Sequence, residues 1–318
     1  MIEAIVKRLI LSMIFHKNKG ISIFSRDWDN LIILDACRYD DFIHVIKELG
    51  FDLSVDEFTS LGSDTTEFLM KNFTDDRYGD IVYVSANPFV SMILKDKVYK
   101  IVPVWDYRWD PELGTVLPIE VYHYALRSYL ENPDKRFIIH FIQPHYPYLS
   151  HINKSMIEHL ESLRKEVLEG GTRKNFSLQL RFRRLLKVLI ERSIYAVDFY
   201  VKVDNNLHRR AYRDNLRIVL PYAIKLAKIL PGINVITSDH GEAFGEKLHP
   251  LVPIKVYGHL PEIHIDVLLK VPWLVIENNV SREEALKQIK NELAEIQREI
   301  IRRRIKKALK KNAHLGRG

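Results

Sequence analysis

The stretch "INVITSDHGEAFGE", Ile233–Glu246, joins a short apolar run to a loop in which an aspartate and a histidine are adjacent. The run is continuous and rich in β-branched residues, which is typical of a strand buried on both faces of a parallel sheet. The loop then adds Glu242 and Glu246 to Asp239 and His240. Like charges repel at this spacing, so the loop is either a solvated turn or a site where a cation relieves the crowding.

Four more apolar runs read as buried strands, in 27–35, 80–88, 136–148 and 270–277. Helical patterns lie between them, notably "YRDNLRIVLPYAIKLAKIL" at 212–230, which Pro231 and Gly232 terminate. Buried strands that alternate with helices predict an α/β fold, with a mostly parallel central sheet and helices on both faces.

Three regions are expected along the chain. Residues 1–26 contain an amphipathic helix, residues 27–280 form the main domain with a basic helical insertion at about 151–211, and residues 281–318 form a basic C-terminal helix and tail. The last helix has a capping box at its start, Ser281 and Glu284. Its apolar stripe predicts packing against the main domain, with a coiled-coil seam as the alternative; the stripe comprises Leu286, Ile289, Leu293, Ile296 and Ile300.

The charge of the chain is concentrated at its end. The net charge is +7, and residues 298–318 carry nine Lys/Arg against one Glu, so the remainder is close to neutral. This distribution argues against a nucleic-acid-binding domain and leaves open a contact of the tail with phosphate or with an anionic membrane surface. The lone Cys37 excludes an internal disulfide. We expect a cytoplasmic protein, peripheral at the inner membrane face; the oligomeric state is not defined by the sequence.

Two of the predicted strands end in an acid, at Asp35 and at Asp239, and His240 follows the second. In an open parallel sheet, ligand sites form beyond the carboxyl ends of the strands, so these three side chains converge if both strands are central. Two carboxylates and an imidazole suit a divalent cation such as Zn, Mn or Mg. The alternative is that the aspartates cap the helices that follow.

These motifs, in this order, resemble the alkaline phosphatase superfamily in its sulfatase-like branch, close in type to phosphoethanolamine and phosphoglycerol transferases. The hallmark is "TSDHGEAFGE", and "NLIILDACRYD" resembles the first strand with its metal-binding Asp. "YGHLPEIHIDVLLKVPWLVIE" resembles the segment after the hallmark, and "IQPHYPY" resembles the strand end whose His faces the substrate. The resemblance spans about 28–277, which makes 27–280 the expected catalytic domain.

The resemblance implies covalent catalysis by a nucleophile at the start of a helix, and "TSLGSDTTEFLMKNF" at 59–73 is the matching stretch. It lacks the Cys/Ser-x-Pro-x-Arg pattern of formylglycine sulfatases, so a hydroxyl nucleophile is expected. Thr65 is the first candidate, Ser63 the second and Thr66 the third. Each hydroxyl has an alternative role as a helix cap.

The resemblance also suggests supporting residues. His259 would bind the metal or a substrate oxygen, His145 would contact the substrate or protonate the leaving group, and Arg38 would hold a phosphate, with pairing to Asp40 or Asp41 as its alternative. His249 is a spare ligand. The metal is expected to be one tightly bound ion, held by Asp35, the nucleophile, Asp239 and His240.

The sequence therefore predicts a metal-dependent hydrolase or transferase of phosphate esters, with a small-molecule or a glycan- or lipid-linked substrate. Two alternatives stay open. One is a sulfate-ester hydrolase without formylglycine, and the other is a non-catalytic relative that binds anions or membranes.

Overall fold

The computed structural model describes residues 18–75, 77–152, 157–158, 161, 205–250 and 252–315. Residues 1–17 of the predicted N-terminal helical region lie outside the described residues, as does most of the predicted insertion at 151–211; the described part, 18–26, contains a short 3₁₀ helix at Ile23–Ser25. The described end of that insertion, from Asn205, forms the beginning of a long helix that continues to Ile229.

The described residues form these elements in chain order: β1 (Asn30–Leu34), α1 (Tyr39–Glu48), β2 (Asp56–Thr59), α2 (Thr65–Asn72), β3 (Tyr78–Ser85), α3 (Pro88–Ile93), β4 (Val98–Pro103), α4 (Val104–Tyr107), β5 (Trp109–Asp110), β6 (Thr115–Val116), α5 (Pro118–Glu131), β7 (Arg136–Phe141), α6 (Asn205–Ile229), β8 (Gly232–Thr237), β9 (Ala243–His249), β10 (Val252–Gly258), α7 (Asp266–Leu269), β11 (Lys270–Asn278) and α8 (Arg282–Leu315).

The central sheet has seven strands in the order β2-β11-β8-β1-β7-β3-β4. The pairs β8–β1, β1–β7, β7–β3 and β3–β4 are parallel, while β11 runs antiparallel to both of its neighbours. All five apolar runs chosen from the sequence are strands of this sheet. The prediction of an α/β fold with a mostly parallel sheet is confirmed, and β1 and β8 are adjacent near its centre.

Two apolar cores cover the two faces of the sheet, and β1 shows why its sequence is apolar throughout. Ile32 and Leu34 pack into the core on one face, which is covered by α1, α5, α6 and α8. Leu31 and Ile33 pack into the core on the other face, against α2 and α3. A strand buried on both faces cannot alternate between apolar and polar residues, because one of the two faces would then bury polar groups.

The C-terminal helix α8 packs on the main domain. Ser281 caps its start by accepting a hydrogen bond from the backbone N–H of Glu284 at 3.2 Å. Ile289 and Ile296 are buried in the core, and Leu286 and Leu293 pack against it. This confirms the predicted packing in preference to a coiled-coil seam. The side chains beyond Arg302 lie outside the described residues, and so does any contact of the tail with a membrane.

The stretch after His240 is not the loop that the sequence predicts: Ala243–His249 and Val252–Gly258 pair as an antiparallel hairpin. Within the part of the chain that the structure describes, no helix combines the length and the apolar character needed to cross a bilayer.

Candidate metal centre and nucleophile

Asp35, Asp239 and His240 meet at the carboxyl edge of the sheet. Asp35 follows β1 directly, and the other two residues follow the neighbouring strand β8. Nε2 of His240 lies 3.6 Å from Oδ1 of Asp35 and 3.5 Å from Oδ2 of Asp239. All three side chains are buried, and one ligand atom from each lies within 4.8 Å of the others. The structure thus brings together the three residues that the sequence placed at two strand ends.

The donor set fits a divalent cation. For a tetrahedral site with metal–ligand distances of about 2.0–2.2 Å, the ligand atoms stand about 3.3–3.6 Å apart. The N–O separations of 3.5 and 3.6 Å match that spacing and are too long for hydrogen bonds. Oδ1 of Asp35 is buried and accepts no hydrogen bond. A buried carboxylate oxygen without a donor is costly, and a bound cation would satisfy it.

The local hydrogen bonds fix the ring orientation of His240. Its Nδ1 lies 2.8 Å from the carbonyl oxygen of Gly241, which can only accept, so the proton is on Nδ1. Nε2 therefore presents its lone pair toward Asp35 and Asp239, as a metal ligand must.

The loops that carry these residues are tied to each other through the backbone. The Ser238 hydroxyl accepts a hydrogen bond from the N–H of Cys37 at 2.7 Å and thereby links the ends of β1 and β8. Gly241 is required by close approach, because a Cβ there would stand 2.0 Å from the carbonyl oxygen of Val267. This contact explains why a glycine follows the Asp-His pair.

Thr65 is the predicted nucleophile that the structure places beside this group. Its Oγ1 donates to Oδ2 of Asp239 at 2.7 Å and lies 3.4 Å from Nε2 of His240. Thr65 is the first residue of α2, which Asp64 caps by accepting from the N–H of Glu67. The candidate nucleophile therefore lies at the N-terminus of a helix, where the helix dipole favours negative charge.

Ser63 and Thr66 make other contacts. The Ser63 hydroxyl lies 2.8 Å from Oε2 of Glu67 and 2.9 Å from the carbonyl oxygen of Leu260. The Thr66 hydroxyl lies 2.9 Å and 3.0 Å from the two carboxylate oxygens of Asp64. Both hydroxyls bond groups in and around the turn that leads into α2, whose N-terminus is capped by Asp64 and by neither of them.

Asn87, at the end of β3, was missed in the sequence. Its Nδ2 donates to Oδ2 of Asp35 at 2.7 Å and to Oγ1 of Thr65 at 3.2 Å, so one amide bridges the carboxylate and the hydroxyl. Its Oδ1 caps α3 by accepting from Phe89. The segment Ser85–Pro88 read as a turn that closes a strand, and nothing local indicated that β3 lies beside β7 at the site.

His140, inside β7, was also missed. Its Nε2 lies 3.6 Å from Oδ2 of Asp35 and 3.6 Å from Oδ2 of Asp239, and it makes no hydrogen bond. Its Nδ1 lies 3.1 Å from the hydroxyl of Tyr83. A histidine within a run as apolar as "FIIHFI" was the available signal, because a buried polar group needs a partner.

The electrostatics favour a charged Asp239. Burial alone would raise the pKa of this carboxyl, but the imidazoles of His240 and His140 and the hydrogen bond from Thr65 lower it. Burial raises the pKa of Asp64, although hydrogen bonds oppose that effect. The carboxyl group that accepts from the Thr65 hydroxyl is therefore the one of the two whose pKa is lowered.

His259 and His145 lie together at the side of the metal group. The His259 ring is 4.4 Å from that of His240 and 4.9 Å from that of His145, centroid to centroid. Nδ1 of His259 lies 2.8 Å from Oε2 of Glu242. Burial lowers the pKa of His259, but the charge and hydrogen bond of Glu242 outweigh it, so the pKa is raised. His259 does not belong to the set of three whose ligand atoms meet.

The loop that carries His145 is held by its backbone. The N–H of His145 donates to the carbonyl oxygen of Asp35 at 3.1 Å, and Nδ1 of the ring contacts the carbonyl oxygen of Tyr146. From α6, Nδ2 of Asn215 donates to the carbonyl oxygens of His145 at 3.1 Å and Pro147 at 3.0 Å. This anchoring keeps the ring beside His259.

Arg38 is engaged by acidic side chains. Its guanidinium makes a two-fold contact with Asp40, at 2.8 Å for both pairs, and bonds Glu246 at 2.5 Å. Its pKa is raised, because those carboxylates outweigh the effect of burial, and the pKa of Asp40 is lowered to about 2. The contacts match the pairing that the sequence offered as the alternative to phosphate binding.

His249, the predicted spare ligand, is the last residue of β9 and pairs with Val252 in the hairpin.

Comparison with known proteins gives structural neighbours without close relatives. No family model matches the chain. No curated protein matches it either. The chain is similar to the soluble domain of lipooligosaccharide phosphoethanolamine transferase A from Neisseria meningitidis, with TM-score 0.49, 15% identity, and 80% of this chain and 77% of that chain covered. It is also similar to the C-terminal periplasmic domain of EcEptC from Escherichia coli in complex with Zn, with TM-score 0.45, 12% identity, and coverage of 86% and 78%.

A third neighbour is described as a protein in the alkaline phosphatase superfamily from Vibrio parahaemolyticus, with TM-score 0.41, 12% identity, and coverage of 87% of this chain and 70% of that chain. These neighbours are of the class that the motifs resemble. At such identities and TM-scores, the function of this chain is inferred from its own site.

The expected cytoplasmic location, peripheral at the inner membrane face, is wrong by the same comparison. Two of the neighbours are described as periplasmic domains, and the first as a soluble domain. The expectation rested on the N-terminal helix and the basic tail, and a lone cysteine forms no internal disulfide in either compartment, so it did not correct that expectation.

Proposed function

We propose that this protein is a metal-dependent hydrolase or transferase of phosphate esters, with Thr65 as its nucleophile. The observation that carries the proposal is the 2.7 Å hydrogen bond from the Thr65 hydroxyl to Asp239, within a buried Asp35–Asp239–His240 group whose spacing fits one divalent cation. A helix N-terminus, a hydroxyl and a ligand set at one point are the parts that covalent phosphoryl transfer needs.

Asp35, Asp239 and His240 would hold the cation, and Zn, Mn and Mg are the candidates. When bound, such an ion lowers the pKa of a neighbouring hydroxyl and offsets negative charge on the phosphoryl oxygens. Asn87 orients both partners, because its amide donates to Asp35 and to Thr65.

The residues then suggest a two-step reaction. A bond forms between Oγ1 of Thr65 and phosphorus while the ester bond to the leaving alcohol breaks. The proton that Thr65 loses is balanced by the proton that the alcohol gains, for which His145 and His259 are the candidate donors. Water or an acceptor hydroxyl then attacks the phosphothreonine and restores Thr65. The substrate class that we propose is a small-molecule or a glycan- or lipid-linked phosphate ester.

Substitution of the candidate nucleophiles tests this assignment. We expect Thr65→Ala and Asp239→Ala to lower turnover of an aryl phosphodiester by at least about 10³-fold, the scale of losing a nucleophile or its activation. The matched variant is Ser63→Ala, which removes a hydroxyl two residues away that contacts Glu67 and Leu260. Ser63→Ala should retain measurable turnover of the same phosphodiester. Full activity in Thr65→Ala would disprove the assignment.

The same assay separates the alternatives. Hydrolysis of an aryl sulfate faster than the matching aryl phosphate would indicate a sulfate-ester hydrolase that uses an unmodified hydroxyl. A wild-type protein that binds a divalent cation and turns over neither ester would support the non-catalytic alternative.

A further inference from the structure

A strained backbone turn links the two carboxylates of the metal group. Ala36, between Asp35 and Cys37, has a φ of 61°, in the left-handed region. An alanine there is disfavoured, because its Cβ approaches the following carbonyl oxygen. The N–H of Ala36 donates to Oδ1 of Asp239 at 3.1 Å. The position of this single residue therefore affects Asp35 through the chain and Asp239 through a hydrogen bond.

A tyrosine from α6 closes over this turn. The hydroxyl of Tyr212 donates to the carbonyl oxygen of Ala36 at 2.7 Å and accepts from the backbone N–H of Arg38 at 2.9 Å. Tyr212 is fully buried. Burial also raises its pKa well above the usual range, so the hydroxyl keeps the proton that it donates. One hydroxyl thus satisfies a donor and an acceptor that the left-handed turn presents to the same side.

We infer that Tyr212 is a positioning residue, which holds the left-handed Ala36 turn and thereby sets the spacing of the Asp35 and Asp239 carboxylates for a metal ion. The inference rests on the proposed function, because it concerns the same site. Tyr212 does not itself contact the predicted ligands through its side chain. Its hydroxyl acts through Ala36, whose backbone bonds reach both carboxylates.

The physical argument compares the turn with and without the hydroxyl. If the hydroxyl is removed, the carbonyl of Ala36 and the N–H of Arg38 lose a buried partner, and the strained φ is no longer offset. The backbone then relaxes toward a negative φ, which redirects the Asp35 side chain and withdraws the N–H from Asp239. Glycine at position 36 would hold the turn unaided, because it adopts a positive φ without a steric penalty.

The test uses the full chain, stripped of metal with a chelator, and measures Zn²⁺ affinity against a chromophoric competitor, with Mn²⁺ in a parallel series. We expect Tyr212→Phe to weaken metal binding by about 10–100-fold, the range for loss of a residue that orients metal ligands. The double variant Ala36→Gly/Tyr212→Phe should recover about tenfold of that loss. A merely structural role for Tyr212 would not give rescue by glycine at position 36.

Tyr78→Phe is the matched control. It also removes a tyrosine hydroxyl that donates to a backbone carbonyl, that of Asn72 at 3.1 Å, but at the amino end of β3. Its metal affinity should equal that of the wild type. Thermal unfolding of the metal-free variants shows whether each is folded.

Unchanged affinity in Tyr212→Phe, or a loss that glycine does not rescue, would overturn the inference. If Tyr212→Phe does not fold, Ala36→Gly and the double variant are compared directly. An affinity of the double variant more than about tenfold below that of Ala36→Gly then contradicts the inference. A wild-type protein that binds none of Zn²⁺, Mn²⁺ and Mg²⁺ would instead refute the proposed function, so the two failures are distinguishable.

Discussion

Glu67 joins the helix of the nucleophile to the loop after His259. Its carboxylate accepts from the N–H and the hydroxyl of Ser63, both at 2.8 Å, and lies 2.8 Å from Nε2 of His264. The ammonium group of Lys71 contacts Oε1 of the same carboxylate. Burial raises the pKa of Glu67, but these partners outweigh it and lower the pKa to about 2. An ionised carboxylate therefore ties α2 to the segment that carries His259.

This arrangement predicts a pH-dependent contribution of Glu67 to stability. The pKa is about 2 in the folded state against a usual value of 4.5, so the stabilisation is complete above pH 4.5 and is lost as the pH falls toward 2. We expect metal-free wild type to exceed Glu67→Gln by about 1–2 kcal/mol in free energy of unfolding at pH 6, allowing for solvent screening.

Denaturant unfolding between pH 3 and pH 7 checks this expectation. The difference between the two proteins should shrink as the pH is lowered. Glu131→Gln, which breaks the exposed contact of Glu131 with Lys100, is the control and should show a smaller change. A difference for Glu67→Gln that stays constant, or that grows toward low pH, would contradict the assigned role of this carboxylate.

Single residues also show what the sequence could and could not reveal. Asp35, Asp239 and His240 could be predicted, because each follows a recognisable apolar strand and strand ends of a parallel sheet converge. Asn87 and Tyr212 could not, because their roles depend on contacts across 52 and 176 positions of chain. For Arg38 the sequence left two roles, phosphate binding or pairing with Asp40 or Asp41, and in the structure Asp40 and Glu246 accept its hydrogen bonds.

The side chains of the C-terminal helix α8 differ in their burial. The C-terminal helix α8 is joined to the domain by a narrow apolar stripe, in which Ile289 is fully buried and Ile296 nearly so. Farther along the same helix, Ile301 is 49% exposed. Ile289 and Ile301 therefore represent a buried position in the stripe and an exposed position outside it on the same helix.

This contrast predicts unequal effects for the same substitution. Ile289→Ala should lower the free energy of unfolding by about 2–5 kcal/mol, the range for truncating a buried aliphatic side chain. Ile301→Ala should change it by about 0.5 kcal/mol or less, as expected of a surface position. Denaturant unfolding of both variants measures the pair. Equal losses would show that α8 does not pack on the domain as described.

The hairpin of β9 and β10 illustrates a limit at the same scale. Its sequence, "AFGEKLHPLVPIKVYG", mixes charge and proline with apolar residues and gives only a weak alternating pattern. The five strands of the central sheet that were predicted contain continuous apolar runs, because most of their residues are covered on both faces. The conformation of the hairpin strands depends on pairing between the two strands, and the order of apolar and polar residues within one strand does not reveal that pairing.

At the scale of the whole molecule, the order of the strands creates the site. The chain places β1 between β8 and β7, with β3 next to β7, so four neighbouring strands or the residues just after them contribute Asp35, Asp239, His140 and Asn87. The apolar runs predicted five of the seven strands of this sheet and the class of fold. The order of β7 and β3 beside β1 is set by long-range packing. The sequence therefore did not reveal that His140 and Asn87 belong to the site.

The measurement that most directly tests the central claim is the metal content of the purified full chain after equilibrium dialysis against a limiting divalent cation, with zinc and manganese tested separately. The account predicts one tightly bound ion per chain in the wild type, and none in Asp239→Asn or Asp35→Asn variants that unfold at a temperature similar to that of the metal-free wild type. A wild-type protein that retains no ion, or an Asp239→Asn variant that retains as much as the wild type, would contradict it.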